Sequence, residues 1–329
     1  MCLSDLTLIE WMILSILTLV FYIACIILGV AYLTLFERKV LSLPQYRVGP
    51  NKVSIKGLLQ PVLDGIKLLG KEGVTTRIKE WVYFYIAPVG SLFLILCTWG
   101  VIPAIFFYLS WFYSVLFALV ILGLGVYMIM VAGWSSKSKY RLIGSIRSIA
   151  ITLRYEICMA IVFLSPVFLI NNLSLNIFNH YYLNSTLYRQ SLVIWIMCIL
   201  AECNRAPFDI VEAESELVSG FNIEYRSSEF VLLFMREYSR LLILSSIASL
   251  LFIRVSYYGS IYIFSLITFY RSVYPRYRYD HLMQLTWLYL LPLSTIFLIF
   301  SSVCYYLHVY SGDMEYSYRG CMNDLMFWY

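Results

Sequence analysis

Glu37, Glu156, Glu202 and Glu237 stand inside, or at the edge of, stretches that are otherwise almost wholly apolar. An ionised carboxylate at the centre of a membrane helix costs about 2.5–3.5 kcal/mol on insertion scales. Such a group must pair with a cation, meet water, or raise its pKa and stay neutral. The last outcome suits a proton carrier, because a carboxyl that titrates near neutral pH accepts and releases protons. The first describes a structural ion pair, or a residue close to the membrane surface. Residue type alone leaves both readings open for each of the four. Tyr155 precedes Glu156 and Tyr238 follows Glu237, so each of these carboxyls has a phenol beside it that can extend a hydrogen-bond chain. A denser group of acids, Asp209, Glu212, Glu214, Glu216, Glu224 and Glu229, comes directly after Glu202. A solvated loop is the plain reading of that group. Its continuity with Glu202, on a face where loops otherwise carry cations, points instead to a water-filled proton funnel.

The elements that hold these acids must be membrane helices. The 329-residue chain is 61% hydrophobic and only 13% charged, far below the ~25% charged of soluble domains. Trp11 to Phe36, Trp81 to Trp134 and His281 to Gly312 contain no Asp, Glu, Lys or Arg. Open sheets and loops cannot face lipid with unsatisfied backbone groups, and the alternation of a porin-type barrel is absent. The expectation is an all-α integral membrane protein, a single membrane domain over 1–329. It should have about eight spans, near 11–36, 81–107, 111–134, 149–171, 188–207, 229–253, 255–271 and 284–309, each of roughly 20 residues. The first apolar run is too long for a signal-peptide core and lacks a basic segment before it, so it is expected to be a permanent span.

Orientation follows from the cations. Most of the 24 Lys and Arg fall in odd-numbered loops: Arg38 to Lys79 in the first (37–80), Lys137 to Arg147 in the third, Arg205 and Arg226 in the fifth (204–228), and Arg271, Arg276 and Arg278 in the seventh. The positive-inside rule puts these loops on the cytosolic or matrix face and both termini on the other. The net charge of +5 sits beside the spans, where lipid headgroups meet it, and is no nucleic-acid signature. Within the first loop, Ile55, Leu58, Leu59, Val62, Leu63, Ile66 and Leu69 recur with a 3.6-residue period while Lys56, Gln60, Asp64, Lys67 and Lys71 take the other face. That pattern predicts an amphipathic helix over 55–71 lying at the membrane surface. The tail, 311–329, is short, mixed and aromatic and suggests no function.

Soluble-enzyme motifs are missing. There is no Walker A loop or dinucleotide fingerprint, and the three histidines have no helix-spaced partner for haem. The eight cysteines form no C-x-x-C pair, so neither a disulfide framework nor a metal or iron–sulfur site is indicated. No internal repeat is evident. Heavy use of Tyr and Phe, 29 and 21 residues, fits an AT-rich organellar gene.

Four blocks resemble a known family. They are Glu37-Arg38-Lys39 with Gln45-Tyr46-Arg47-Val48-Gly49-Pro50-Asn51-Lys52-Val53, Gly57-Leu58-Leu59-Gln60-Pro61 and Asp64-Gly65-Ile66-Lys67-Leu68; Ala132-Gly133-Trp134-Ser135-Ser136-Lys137-Ser138-Lys139-Tyr140 with Arg147 and Tyr155-Glu156; Leu200-Ala201-Glu202-Cys203-Asn204-Arg205-Ala206-Pro207-Phe208-Asp209, continuing through Glu214-Ser215-Glu216-Leu217-Val218-Ser219-Gly220-Phe221-Asn222 to Glu224-Tyr225; and Arg276-Tyr277-Arg278-Tyr279-Asp280-His281-Leu282-Met283. In order and over nearly the whole chain, they resemble subunit 1 of respiratory complex I, the proton-pumping NADH:ubiquinone oxidoreductase, called the H subunit in bacteria.

The resemblance implies an eight-span subunit of the mitochondrial inner membrane, with odd-numbered loops in the matrix and both termini in the intermembrane space. It would have no activity alone. The basic-face loops would dock the hydrophilic arm, and flavin and iron–sulfur clusters would lie only in partner subunits. Ubiquinone is the implied substrate at a shared chamber, with Arg38, Gln45, Arg47, Asp64, Phe221 and Phe234 along it. The implied proton path is Tyr155, Glu156, Glu202, Asp209, Glu212, Glu214, Glu216, Glu237 and Tyr238, with Arg205 as counter-charge. Other complex I subunits and phospholipids are the implied partners, and nucleic acid is not among them. The chain departs from the family pattern at Cys203, Ala213, Ser227-Ser228 and Leu288, and more consequentially at Arg154 and Arg236, each of which is placed to pair with an acid and hold it ionised. The rival readings are an ion-coupled secondary transporter, which predicts inverted repeats and broken helices; a structural anchor, which needs no carboxylates inside spans; and the homologous subunit of a membrane-bound hydrogenase or formate-oxidising complex.

Overall fold

The computed structural model describes residues 8–72, 80–102, 112–179, 185–209, 225, 227–253 and 256–311. Among the described residues the regular structure is entirely helical. The helices are α1 (Leu8–Ser42), α2 (Gln60–Leu69), α3 (Trp81–Trp99), α4 (Ser114–Ser135), α5 (Lys139–Ile170), α6 (Ser185–Glu202), α7 (Ser227–Ala248), α8 (Ser256–Val273), α9 (Tyr279–Leu285) and α10 (Leu291–Ser311). Single π-helical turns extend α7 over Ser249–Ile253 and join α9 to α10 over Thr286–Leu290.

Every expected span contains a helix, with ends that differ for local reasons. Among the described residues five helical stretches are long and apolar enough to cross a membrane: Ile16–Ser42, Trp81–Trp99, Ser114–Ser135, Lys139–Ile170 and Tyr279–Leu307. Ser227–Ile253 and Tyr258–Val273 pass that test only as a pair, bent by 116° to each other. The charges of α7, Glu229, Arg236, Glu237 and Arg240, are what lower its apolarity. Gln190–Glu202 is apolar but shorter. Helix α5 begins ten residues before the expected span at 149, so the basic third loop is itself largely helical. Its 32 residues extend roughly 48 Å at 1.5 Å per residue, well beyond the ~30 Å hydrocarbon layer. It ends at Asn171 in the left-handed conformation, φ 51°, a common helix stop.

Helix α5 is the axis of the bundle and packs against α4, α6 and α10, while α3 packs on α4 and α7, and α1 and α8 lie along α7. Large apolar side chains such as Phe21, Val120 and Ile299 point outward, as lipid permits. With no water to exclude, close approach of helices has to come from small residues and internal hydrogen bonds. At Gly133 in α4 any Cβ would run into Ser145 of α5, so this crossing requires glycine. In the middle of the bundle Trp195 stacks on Phe163, ring centroids 5.5 Å apart, and its indole N–H donates to the Leu244 carbonyl at 3.4 Å.

Three prolines interrupt these helices, and two of the carbonyls they free accept from side-chain hydroxyls. Proline lacks the N–H that would serve the carbonyl four residues earlier. Pro88 thus frees the Phe84 carbonyl, which accepts from the Tyr225 hydroxyl at 3.2 Å. Pro166 frees the Val162 carbonyl, which accepts from Ser165 Oγ at 2.9 Å. Pro292 frees the carbonyl of Leu288, which lies in the π-helical turn.

The amphipathic segment of the first loop is shorter than its periodicity predicts. A 3₁₀ turn, Ile55–Gly57, precedes α2, and positive φ at Lys56 (57°) and Gly57 (78°) breaks the helix between them. A Cβ at Gly57 would collide with the Pro50 carbonyl, so the turn before α2 needs glycine. Gly57→Ala is expected to cost about 1–3 kcal/mol of local strain and to open the 50–58 turn. Faster limited proteolysis within that turn is the measurable consequence. Pro61 sits in the first turn of α2, where its missing N–H costs nothing. The residues of the predicted apolar stripe, Ile55 through Leu69, are exposed. Gln60 and Asp64 face α1 instead.

Candidate functional site

Ionisable side chains gather along α7, where neighbouring helices bring it carboxylates and arginines. At the end of α1, Glu37 is 5% exposed. The Tyr238 hydroxyl of α7 donates to its Oε2 at 2.6 Å, and Arg271 of α8 pairs with its Oε1. Arg205, in the turn after α6, approaches Oε1 at 3.6 Å and lies over the Tyr238 ring, 4.4 Å from its centroid. One carboxylate is thereby shared among a phenol and two guanidinium groups from three segments.

Deeper along α7 a second cluster forms. Arg240 pairs with Glu202 at the end of α6, and its Nη2 also stands 3.8 Å from Oε1 of Glu156 on α5. Glu202 and Arg240 are 1% and 4% exposed. Glu237 lies between the clusters and is flanked electrostatically by Arg205, Arg236, Asp209 and Arg240. Glu37 is therefore paired with Arg205 and Arg271, and Glu156 and Glu202 with Arg240, while Arg236 and Glu237 add one charge of each sign without an ion-pair contact among the described residues. Such matching is what low dielectric demands, since a buried charge without a partner is far costlier than a paired one.

The turn leaving α6 extends the series outward. Asp209 pairs with Arg276 at 3.1 Å, and the Pro207 carbonyl accepts from the Tyr277 N–H at 3.0 Å. Phe208 is fully buried between the rings of Tyr155 and Tyr277. Glu212, Glu214, Glu216 and Phe221, all expected at the site, lie outside the described residues.

Near the first loop, Arg38 pairs with Asp64 at 2.8 Å, and Gln60 Nε2 donates to the other Asp64 oxygen at 2.9 Å. Helix α2 packs on α1 and α7. Phe234 of α7 is partly exposed, meets Phe230 at a tilted angle and stacks on Tyr238. Gln45 and Arg47 are exposed in the turn after α1, where the Arg47 N–H donates to the Ser42 carbonyl.

Several sequence-based assignments need correction. Arg205 pairs with Glu37 and also acts on Glu237 of the series, while Arg240 is the counter-charge of Glu202 and Glu156. Tyr238 donates to Glu37 rather than to its neighbour Glu237, since adjacent helical residues point about 100° apart. Tyr155 is turned away from Glu156 and donates to the Leu282 carbonyl at 3.4 Å. Arg154 finds the Met283 sulfur at 3.1 Å instead of an acid. Arg236 forms no carboxylate contact within 4 Å among the described residues, although Glu237 and Glu202 act on it electrostatically. The role of Arg240 was readable in one signal, its i, i+4 spacing from Arg236, which sets two cations on one face of a membrane helix. The convergence of Arg271 and Tyr238 on Glu37 is a tertiary contact with no local trace.

Known proteins give an independent comparison. A family model described as NADH dehydrogenase matches residues 17–302. The NADH-ubiquinone oxidoreductase chain 1 of Aedes aegypti is 44% identical over 294 residues, covering 84% of this chain and 92% of its own length. The protein of that name from Artemia franciscana is 42% identical over 285 residues, with 84% and 95% covered. That of Branchiostoma lanceolatum is 39% identical over 297 residues, with 86% and 93% covered.

Proposed function

Because the chain belongs to the NADH dehydrogenase family and is a membrane subunit of NADH-ubiquinone oxidoreductase, respiratory complex I, we propose that it frames part of the chamber through which ubiquinone reaches its reduction site and carries the charged path that couples reduction to proton translocation. Its partners are other subunits of that complex. The flavin and iron–sulfur chemistry belongs to those partners, since no motif for either stands in this chain. The basic odd-numbered loops face the matrix and receive the hydrophilic arm.

One observation carries the reading: carboxylates from α1, α5, α6 and α7 lie beside arginines in the bundle, with Arg240 shared by Glu202 and Glu156 and with Arg205 acting on both Glu37 and Glu237. A charge change at one end of such a series alters the energy of the next member, because Coulomb interactions in a low-dielectric interior are strong. Uptake of protons by reduced quinone supplies that change. The Arg38–Asp64 pair and the half-exposed Phe234 flank α2, where a polar headgroup and an apolar isoprenoid tail each find a matching surface. Glu37 then stands one residue from Arg38 and links the chamber to the α7 series.

A photoreactive short-chain ubiquinone analogue, added to the native complex and activated by light, tests the quinone part of this reading. Cross-links are expected on peptides spanning 38–69 and 230–238, and excess ubiquinone should suppress them. Labelling confined to other subunits would refute a quinone-facing role.

A further inference from the structure

Beside the α7 cluster a small cavity opens between α3, α4 and α7. Ser91 and Thr98 of α3, Gly125 of α4, and Arg236 and Arg240 of α7 border it, with aliphatic side chains closing the rest. It leaves about 10 Å³ in which the centre of a water-sized molecule can sit, room for a single water. Both arginines and both hydroxyl residues are at least 95% buried.

The hydrogen-bond inventory around this space is asymmetric. Arg240 uses its Nη2 toward Glu202 and Glu156, while its buried Nε–H has no acceptor among the described residues. Arg236 brings further N–H groups and, among the described residues, no carboxylate within 4 Å. On the opposite wall, Ser91 Oγ donates its proton to the Pro88 carbonyl at 2.8 Å and Thr98 Oγ1 donates to the Ile95 carbonyl at 2.6 Å. Each hydroxyl has spent its only hydrogen, and only lone pairs remain. The cavity therefore has donors on one side and acceptors on the other.

We propose that this cavity binds one ordered water molecule, which accepts from the arginines of α7 and donates to one of the two hydroxyl oxygens of α3, Ser91 or Thr98, which stand two helical turns apart. Water supplies both functions at once. A halide of similar size only accepts, and would face hydroxyl oxygens that have no hydrogen to give, as well as the carboxylates Glu202 and Glu237 nearby. The bound water gives Arg236, the cation that departs from the family pattern, a polar partner in the bundle interior, and it joins the α7 charges to α3 by hydrogen bonds. The site rests on this count of donors and acceptors and stands whether or not the neighbouring acids carry protons.

A cryo-EM map of the native complex, at a resolution where other internal waters are visible, tests it. One peak is expected in the cavity, within hydrogen-bond distance of an arginine nitrogen and of Ser91 Oγ or Thr98 Oγ1. An empty cavity in such a map overturns the proposal. A peak too strong for water, or one that changes when bromide replaces chloride, overturns the choice of ligand. The double variant Ser91→Ala with Thr98→Val removes both acceptors at nearly constant volume, and the assembled complex carrying it is expected to lose the peak. Persistence of the peak in that variant also counts against the site as described.

Discussion

Arg240→Met is expected to prevent the chain from accumulating in the assembled complex. Arg240 is 4% exposed and, among the described residues, is the cation within 4 Å of both Glu202 and Glu156. Methionine keeps much of the aliphatic volume and removes the charge. Removing one partner of a buried ion pair costs about 3–5 kcal/mol, and here two carboxylates lose their partner together. A typical domain has only about 5–15 kcal/mol of stability, so this loss is decisive. Proton uptake by Glu202 or Glu156 would moderate the cost without restoring the original contacts. The level of intact complex on native gels is the measurement. A second variant separates charge from shape: Arg240→Met combined with Glu202→Gln removes one charge of each sign and should recover much of the assembly. Wild-type levels of complex in the single variant would show that Arg240 is not the compensating charge.

The bundle was legible in the sequence because its governing constraint is local. Lipid forces each crossing segment to satisfy its own backbone, so a charge-free run such as 81–134 announces helices α3 and α4 with no knowledge of neighbours. Helix ends were less legible, because Lys139 to Arg147 read as a basic loop although α5 already runs through them. The acids were visible for the same reason the spans were, since a carboxylate among apolar residues stands out. Their partners were not. Glu37 and Arg271 are 234 residues apart, and Glu37 and Tyr238 are 201 apart. Pairing within α7 was also misjudged from adjacency, because Glu237 and Tyr238 leave the helix in different directions. Periodicity captured the apolar stripe of the first loop and missed the break at Gly57, where the collision with Pro50 is a contact between turns.

Glu202→Gln is expected to leave the complex assembled and to slow coupled ubiquinone reduction by about tenfold or more, a barrier change of roughly 1.4 kcal/mol. Assembly should survive because glutamine keeps the shape and Arg240 retains Glu156, whose Oε1 lies 3.8 Å away. The neutral amide can still accept a hydrogen bond from the guanidinium. What it cannot do is gain or lose a proton, so any step that needs a changing charge at this position fails. The readout is the rate of NADH-driven ubiquinone reduction in sealed vesicles together with the protons moved per electron pair. NADH oxidation by a water-soluble acceptor that bypasses quinone should remain normal, since the proposed place of that chemistry is in partner subunits. A purely structural role for Glu202 predicts a different pattern, in which assembly falls and the surviving complexes turn over at the ordinary rate. Full coupled turnover in fully assembled variant complex would remove Glu202 from the path and leave the Glu37 cluster, with Tyr238, Arg205 and Arg271, as the next position at which quinone reduction meets the membrane charges.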